Sequence, residues 1–380
     1  MGMRGALDIY WYCPFPYPHV PPLARTVMRD GDRLVAHVPI RGLDDPIDSR
    51  PNGYEVVNEL PDVASKGERR MGWAVSRART YRRRAVLRRR QASSRAFDLA
   101  HIHFLNYFTD GTSLVELGRR APLVSNVHDV VPHQRRMLPA LERRLLAAQY
   151  RHAGTLVVAH SSLRRHLVEG FDVDPGRVEI IPLPVVRVPG IVEPEDRDRD
   201  ARPTVLFFGT LRRNKGVAVL LEAIQRMDRR GDVQFRFAGR GATEIESMVG
   251  QAAADDPRIV AEIGFISDER KDQLFRSATL VVLPYTSFTS QSGVLGDSYA
   301  YRIPVVATSV GALGDAVEED RTGWVVPPND AIALAEALGT ALFDTEARMK
   351  AAAAAREAAS DRSYESVGGQ LRDLYMRIVG

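Results

Sequence analysis

Two cationic side chains stand in a turn where an anion could bind. Val205 to Phe208 is a short apolar run that ends at Gly209, as expected of a strand buried in a parallel sheet. The turn then carries Arg212 and Lys215, and an amphipathic helix is predicted after Gly216. The apolar residues of that helix are Val217, Leu220, Leu221 and Ile224. Because a helix N-terminus and two positive charges converge, the segment predicts a phosphate site, with a merely solvated turn as the alternative.

Further motifs along the second half of the chain carry a family resemblance. Leu280 to Pro284 predicts another buried strand. The segments FFGTLRRNKG, FRFAGRG, GFISDERKDQLFRSATLVVLPY, SQSGVLGDSYAYRIPVVATSVGALGDAV and TGWVVPPND follow one another in order. Together they resemble the nucleotide-sugar domain of family 4 glycosyltransferases, over residues 203 to 340. The first half is similar more weakly, through DLAHIHF, LVSNVHDVVPH, VVAHS and VEIIPLPV.

The elements that must position these residues alternate between strand and helix. Short apolar runs at 8–12, 33–38, 99–104, 123–127, 155–159 and 178–182 are separated by helical patterns, which predicts a parallel α/β sheet. A proline-rich, charged stretch then precedes a second such series. We therefore expect two Rossmann-like doubly wound domains, at 1–185 and 204–361, with a linker at 186–203. The resemblance implies the GT-B fold, in which the domains face each other across a cleft and the terminal helix, 362–380, returns to the first domain.

Composition places few further limits on the protein. At 380 residues and 44% hydrophobic, the chain can bury the cores of two domains. A single cysteine, Cys13, excludes an internal disulfide and a cysteine-rich metal site. No run approaches the roughly 20 apolar residues of a membrane span, and no signal peptide is recognisable. We expect a cytoplasmic protein, with association at the inner face of the membrane as an option.

The resemblance assigns the donor-binding residues. Arg212 and Lys215 match the family's basic pair, which stabilises the charge on the departing diphosphate. The donor set also includes Gly209 and Gly239 at the ends of strands. Phe265 and Ile266 would meet the base through backbone groups, although both could instead be core residues.

The segment after Pro284 departs from the family pattern. The family has two glutamates eight positions apart, and this chain has Thr289 and Asp297 there. Asp297 can still accept hydrogen bonds from ribose hydroxyls, whereas Thr289 supplies no carboxylate. Sugar recognition would then depend on Ser290, Gln291 or Ser292. Gly293 and Val294 match family positions whose backbone amides bind phosphate.

The first domain is expected to bind the acceptor. By resemblance, His128 lies near the transferred sugar and the attacking hydroxyl; a hydrogen-bonded core histidine is the alternative. His103, and Phe15, Tyr17 and His19 in the proline-rich loop after the first strand, are the other acceptor-binding candidates. A metal cluster of His101, His103, His128, Asp129 and His133 lacks a recognisable zinc spacing, and the family needs no metal, so we expect no metal and no cofactor besides the sugar donor.

One segment is strongly basic. Residues 69 to 95 contain eleven arginines and no acidic residue, while the whole chain has a net charge of only +4. A thin apolar stripe of Ala74, Ala78, Tyr81 and Ala85, beside Trp73, predicts one or two cationic helices. Arg69 to Arg95 could be a solvated face, a surface for anionic lipid or an anionic acceptor, or a nucleic-acid site, the last being the least expected.

The sequence thus predicts a retaining, metal-independent glycosyltransferase of the hexosyl or N-acetylhexosaminyl type. It would move a sugar from a nucleoside diphosphate to a hydroxyl of a lipid carrier, a polysaccharide or a natural product. The alternatives are another GT-B enzyme, such as an epimerase or a phosphorylase, an inactive homologue, because Thr289 replaces a glutamate, and a nucleic-acid-binding protein.

Overall fold

A computed structural model describes ten segments of the chain. They are residues 6–14, 19–39, 52–61, 70–104, 111–131, 139–186, 188–191, 202–227, 232–288 and 292–380. The chain divides into two compact units, one formed by Met1–Pro184 with Tyr364–Gly380 and the other by Val185–Ser363. Each unit is an α/β structure with its own sheet and core.

Unit 1 is built on a parallel sheet. Its strands are β1 Asp8–Tyr12, β2 Arg33–Pro39, β3 Tyr54–Leu60, β4 Leu99–Ile102, β5 Leu123–Asn126, β6 Thr155–Val158 and β7 Val178–Ile180. Among the described residues the strand order is β3-β2-β1-β4-β5-β6-β7, with every pairing parallel. The first helices are α1 Val20–Val27, α2 Arg70–Ser93, α3 Gly111–Gly118, α4 Pro139–His152 and α5 Ser161–Phe171. The order reverses between β1 and β4, which is the doubly wound arrangement expected from the sequence.

Unit 2 repeats this arrangement. Its strands are β8 Thr204–Phe208, β9 Gln234–Gly239, β10 Ile259–Ile263, β11 Leu280–Leu283, β12 Val305–Thr308 and β13 Gly323–Val326. They pair in parallel in the order β10-β9-β8-β11-β12-β13 within the described part of the chain. The helices are α6 Val217–Arg226, α7 Thr243–Asp255, α8 Asp268–Ser277, α9 Gly293–Ala300, α10 Ala312–Glu319, α11 Ala331–Phe343 and α12 Thr345–Asp361. The four apolar residues predicted for the face of α6 are all buried in the core.

The last helix, α13 Tyr364–Val379, belongs to unit 1. Its residues Val367, Leu371, Leu374 and Tyr375 are buried in the same core as Ile9 and Trp11 of β1. A buried ion pair adds to this packing, since Arg372 donates to Asp32, which also accepts from the amide of Leu7. The end of the described chain therefore completes the unit in which the chain begins.

The arginine-rich segment is one helix, α2, as predicted, but its buried side differs from the predicted alanine stripe. Arg84 and Arg88 are buried, while Ala78 is exposed. Arg88 donates to Tyr12 Oη at 3.3 Å and lies 3.7 Å from the carboxylate of Glu116. A solvated face therefore describes only part of α2, because the buried Arg84 and Arg88 supply part of the charge. The side chains of Trp73 and Ala74 lie outside the described residues.

None of the described helices combines the length and the apolar character needed to cross a membrane.

Candidate functional site

The cationic turn lies at the carboxyl edge of the unit 2 sheet, where β8 and β11 are neighbours and the strand order reverses. Ligands of doubly wound folds bind at this switch point. Gly216 ends the turn with φ of 70°, and a Cβ there would lie 1.6 Å from the carbonyl oxygen of Pro284. Thr286 N also donates to Asn214 O at 3.0 Å. The turn after β8 and the loop after β11 are therefore tied together, which explains why position 216 needs glycine.

Lys215 is held by two aromatic rings of that loop. Its Nζ lies 3.5 Å from the ring centroid of Tyr285 and 4.4 Å from that of Phe288. Both distances are well within the range of a cation–π interaction. We call Tyr285 and Phe288 the aromatic clamp. Because the rings fix the ammonium before any ligand arrives, Lys215 is a preorganised cation.

Burial also changes the protonation of Lys215. Desolvation, followed by the positive charge of Arg212, lowers the pKa of Lys215 to about 8. Arg212 itself is exposed. The neighbouring Arg213 forms a two-pronged ion pair with Glu244, at 2.6 and 2.8 Å. Glu244 therefore neutralises Arg213. The remaining positive charge of this turn comes from the predicted pair, Arg212 and Lys215.

Glycines let the ends of β8 and β9 approach each other. Gly209 has φ of 119°, and Gly239 has φ of 144° with its Cβ position 1.9 Å from Gly209 O. The close backbone approach explains glycine at position 239, and the positive φ favours it at position 209. Their predicted contact with the donor stays a prediction.

Phe265 lies on the surface after β10. It is 79% exposed, so the alternative that it is a core residue is wrong. The Arg240 guanidinium lies 6.0 Å from its ring centroid. An exposed ring at the carboxyl edge can stack on a base. Ile266 instead packs against the core, as the alternative interpretation held.

Helix α9 brings the remaining described donor candidates to the same edge. Gly293 is its first residue, and Val294 contacts the Gly209 turn, since Val294 Cγ2 would lie 3.7 Å from a Cβ at position 209. Ser292 is buried and its Oγ is 3.0 Å from Tyr285 Oη. The Ser292 hydroxyl is therefore hydrogen-bonded to Tyr285 of the aromatic clamp. Thr289, Ser290 and Gln291 lie outside the described residues.

Asp297 has a partner that the sequence analysis missed. Lys271 of α8 donates to Asp297 Oδ1 at 2.6 Å. Burial raises the pKa of Asp297, and the nearby lysine opposes that shift. The carboxylate keeps Oδ2 as a second acceptor, so binding of a ribose hydroxyl stays compatible with the pair.

The histidines predicted for the acceptor gather at the carboxyl edge of the unit 1 sheet. His128 Nε2 donates to His103 O at 2.8 Å, and its ring stacks on Phe104. Burial lowers the pKa of both His103 and His128. His19 Nδ1 is hydrogen-bonded to Tyr364 Oη at 2.5 Å. Burial, and then the charge of His128, lowers the pKa of His19 to about 4. Phe15 and Tyr17 lie outside the described residues.

Within the part of the chain that the structure describes, no three histidine, cysteine or acidic side chains are grouped so that they could hold a metal ion. His133, one member of the considered cluster, lies outside this part. The rings of His101 and His103 stack on each other with centroids 4.1 Å apart.

Several residues of these two edges were not recognised from the sequence as site residues. They are Asn126, Lys271, Tyr285, Phe288 and Tyr375. Tyr285 was the easiest of them to predict from the sequence, because it directly follows a predicted strand at the switch point. The others become visible only through contacts between distant segments.

Comparison with known proteins identifies the family. Residues 23–186 match the family described as Glycosyltransferase Family 4, and residues 202–344 match Glycosyl transferases group 1. The chain belongs to the family 4 glycosyltransferases, and its two doubly wound units are those of the GT-B fold.

Individual relatives agree with that assignment. The chain is 34% identical to the alpha-D-kanosaminyltransferase of Streptomyces kanamyceticus over 47% of each chain, so it spans about half of that relative. It is 28% identical to the D-inositol 3-phosphate glycosyltransferase of Corynebacterium glutamicum (strain R), over 73% of this chain and 72% of the relative. The crystal structure of Anabaena Alr3699/HepE in complex with UDP superposes with a TM-score of 0.69 at 15% identity, over 97% of this chain and 99% of that one. At that identity the last comparison concerns the fold alone.

Proposed function

We propose that the protein transfers a sugar from a nucleoside diphosphate to a hydroxyl of a polyol acceptor, with retention of anomeric configuration and without a metal ion. The observation that carries this proposal is Lys215, fixed by the aromatic clamp at the switch point of unit 2 with Arg212 beside it. Breaking the anomeric bond leaves a diphosphate with increased negative charge. Preorganised cations stabilise that charge in the transition state.

The remaining residues take supporting roles in the proposal. Phe265 would stack on the base, Asp297 would accept from the ribose, and the amides of Gly293 and Val294 would bind phosphate at the start of α9. His128, a neutral imidazole, would orient the acceptor hydroxyl. The departing phosphate oxygen would take the proton of that hydroxyl, because the described residues of the two edges include no evident carboxylate pair for a double displacement.

The nature of both substrates belongs to the proposal. The family supports a hexosyl or N-acetylhexosaminyl donor, and the named UDP complex of HepE makes UDP the first nucleotide to test. The named relatives act in sugar and inositol chemistry, which supports a polyol acceptor.

A thermal-shift panel of UDP, GDP, TDP and ADP tests the donor half. A nucleotide at a hundred times its dissociation constant stabilises the protein by about 2.7 kcal/mol. We expect one nucleotide to raise the melting temperature of the wild type but not of the Arg212→Ala, Lys215→Ala double variant. No shift with any nucleotide would contradict the proposal and favour an inactive homologue.

Product analysis separates the alternative enzymes. Wild type with the selected nucleotide sugar and D-inositol 3-phosphate should release the nucleoside diphosphate and form an α- or β-glycoside of unchanged anomeric configuration. An epimerase would instead return a rearranged sugar nucleotide, and a phosphorylase would require inorganic phosphate. A rate that falls when EDTA is added would contradict metal independence.

A further inference from the structure

A small pocket opens among the described residues at the carboxyl edge of the unit 1 sheet, beyond β4 to β7. The centre of a water molecule can occupy about 30 Å³ of it. Its lining is mostly apolar and includes Leu23, Val127, Val157, Ile181, Val367 and Leu371. Three polar residues also line it, namely His103, Asn126 and His128. A space of this size admits a hydroxyl group or a water molecule.

A buried hydrogen-bond chain leads from α13 to this pocket. Trp11 Nε1 lies 3.2 Å from Tyr375 Oη, which is bonded in turn to His101 Nδ1. The other ring nitrogen, His101 Nε2, lies 2.9 Å from Asn126 Oδ1. This hydrogen-bond chain therefore connects Trp11 of β1, Tyr375 of α13 and His101 of β4 to the side chain of Asn126.

The chemistry of its first member sets the direction of the whole chain. An indole N–H can only donate, so Tyr375 Oη accepts from Trp11. Among the described residues, His101 Nδ1 is the acceptor within reach of the buried hydroxyl proton, so we assign Tyr375 as the donor of that bond. His101 is fully enclosed, and desolvation lowers its pKa to about 4, so the ring is neutral and carries its one proton on Nε2. That proton is donated to Asn126, whose oxygen must then face His101. The two N–H donors of the Asn126 amide consequently face away from His101.

His103 gives an independent indication that a polar ligand enters this pocket. It is 1% exposed, and neither of its ring nitrogens has a hydrogen-bond partner among the described residues. Its ring only stacks, on His101 and against Trp11. A buried imidazole without a partner is costly unless a ligand or a water molecule supplies one.

We infer that Asn126 and His103 bind a hydroxyl of the polyol acceptor, and that Tyr375, acting through His101, is the positioning residue that holds the Asn126 amide with its donors toward that hydroxyl. The inference rests on the proposed function in assigning this pocket to the acceptor. It also makes α13 part of acceptor recognition. The apolar lining would accommodate the carbon that carries the hydroxyl.

The direction of the chain can be tested without any ligand. Long-range ¹H–¹⁵N spectra of the full-length protein, labelled at histidine, report which ring nitrogen carries the proton. We expect His101 as the Nε2–H tautomer in the wild type and a mixture of tautomers in Tyr375→Phe. The matched control is Tyr10→Phe, which removes a similar buried tyrosine bond, at 2.9 Å to Nδ1 of His37, outside the pocket. An Nδ1–H tautomer of His101 in the wild type would reverse the chain and overturn the inference.

Binding is tested with myo-inositol as the polyol probe. The side-chain amide signals of Asn126, identified by their loss in Asn126→Asp, should move on titration of the wild type and of Tyr10→Phe. Tyr375→Phe should need a roughly tenfold higher inositol concentration, because the amide can then rotate away. Equal affinity in Tyr375→Phe, or amide signals that never respond, would contradict the inference.

Asn126→Asp covers the case in which Tyr375→Phe does not fold. The carboxylate still accepts from His101 but has no N–H donor, so the fold is kept while inositol, followed by the ring signals of His103 and His128, binds roughly tenfold more weakly. Unweakened binding would overturn the inference.

A UDP titration of the same samples separates this result from the proposed function. If UDP fails to bind while inositol moves Asn126, the donor proposal fails and the inference holds. If UDP binds and Asn126 does not respond to inositol, the inference alone fails.

Discussion

At the scale of single residues, Lys215 illustrates how an electrostatic device is made from an ordinary side chain. Its ammonium lies over the ring of Tyr285, and the Tyr285 hydroxyl is hydrogen-bonded to Ser292 beside α9. A lysine that is partly desolvated and held in place interacts more strongly with phosphate than one that is free in water. The position of the charge is therefore set by residues that carry no charge themselves.

Tyr285 can be separated into its ring and its hydroxyl. Tyr285→Leu removes the ring over Lys215 and should weaken UDP binding roughly fivefold, since a cation–π contact at a partly buried site contributes about 1 kcal/mol. Tyr285→Phe keeps the ring, removes only the bond to Ser292, and should bind UDP within about twofold of the wild type. Isothermal titration calorimetry at pH 7 measures both. Equal losses in the two variants would show that the hydroxyl, not the ring, matters.

The lowered pKa of Lys215 predicts a pH dependence of donor binding. Below about pH 8 the lysine is protonated and attracts the diphosphate; above that pH it loses its proton and the affinity falls, by at most tenfold per pH unit. We expect UDP affinity to be constant near pH 7 and to decline between pH 8 and 9.5. Lys215→Arg, which keeps its charge throughout, should remove the decline. An equally steep decline in that variant would assign the titration to another group.

Sequence reasoning found the charges of the proposed site but not their supports. Arg212 and Lys215 are visible because local signals, a glycine and a helix start, flank them. The partners of the histidines are not local, since His101 and Tyr375 are 274 residues apart in the chain. Contacts of this kind depend on which helix packs on which strand, and a single sequence carries no local signal for that.

At the scale of elements, α2 combines two uses of arginine on opposite sides of one helix. The side that packs on the sheet buries Arg84 and Arg88, and Arg84 donates to Pro61 O at 2.8 Å. The opposite side exposes Arg79, Arg82, Arg83 and Arg90. Counting charges along the sequence could not separate the two groups, because a buried arginine bound by a tyrosine and a glutamate has the same letter as a solvated one.

Arg88→Met should destabilise unit 1. It removes the hydrogen bond to Tyr12 and the cation near the Glu116 carboxylate, so the free energy of unfolding should fall by roughly 1 to 3 kcal/mol. Arg82→Met, the same change at an exposed position of α2, should alter it by less than about 0.5 kcal/mol. Urea denaturation followed by circular dichroism compares the two. Equal effects would mean that burial of Arg88 adds nothing.

We also propose that the exposed side of α2 binds anionic membranes. Replacing Arg79, Arg82, Arg83 and Arg90 by glutamine should abolish cosedimentation with vesicles containing phosphatidylserine, because each basic residue near such a surface contributes about 1 kcal/mol. The control variant changes Arg226, Arg321, Lys350 and Arg356 to glutamine, which removes the same charge from exposed positions of unit 2. Binding that ignores the lipid charge, or that survives in the α2 variant, would contradict the proposal.

The strands were predictable to different degrees. β1 has the predicted bounds, and β4 to β7 differ from the prediction by one or two residues at the carboxyl end, since buried parallel strands are continuous apolar runs. β3 was missed. It lies at the edge of its sheet, and its polar residues Glu55, Asn58 and Glu59 interrupt the apolar pattern. An edge strand needs only partial burial and therefore resembles a loop in composition.

At the scale of the whole molecule, the two units differ in how the chain builds them. Unit 2 is one continuous segment, whereas unit 1 needs α13 in addition to the first half of the chain. Trp11 bonded to Tyr375, and Asp32 paired with Arg372, tie the two parts of unit 1 together.

Truncation after Ser363 tests this dependence. The shortened chain loses four buried side chains of the unit 1 core and leaves Asp32 buried without its cation, so unit 1 should unfold while unit 2 keeps its own melting transition. Limited proteolysis followed by mass spectrometry should then yield a protected fragment starting near residue 185. Deletion of Gly380 alone is the control and should leave both units resistant to proteolysis. A protected unit 1 in the Ser363 truncation would contradict the prediction.

Synthesis on the ribosome gives the position of α13 a consequence in time. The amino-terminal half emerges first but cannot finish folding, because the helix that fills its core is translated after all of unit 2. The unit translated second is therefore the first that can reach its native state. Until residue 379 has emerged, the apolar surface around Trp11 and Leu23 stays exposed. A chaperone that binds nascent chains would bind to this surface.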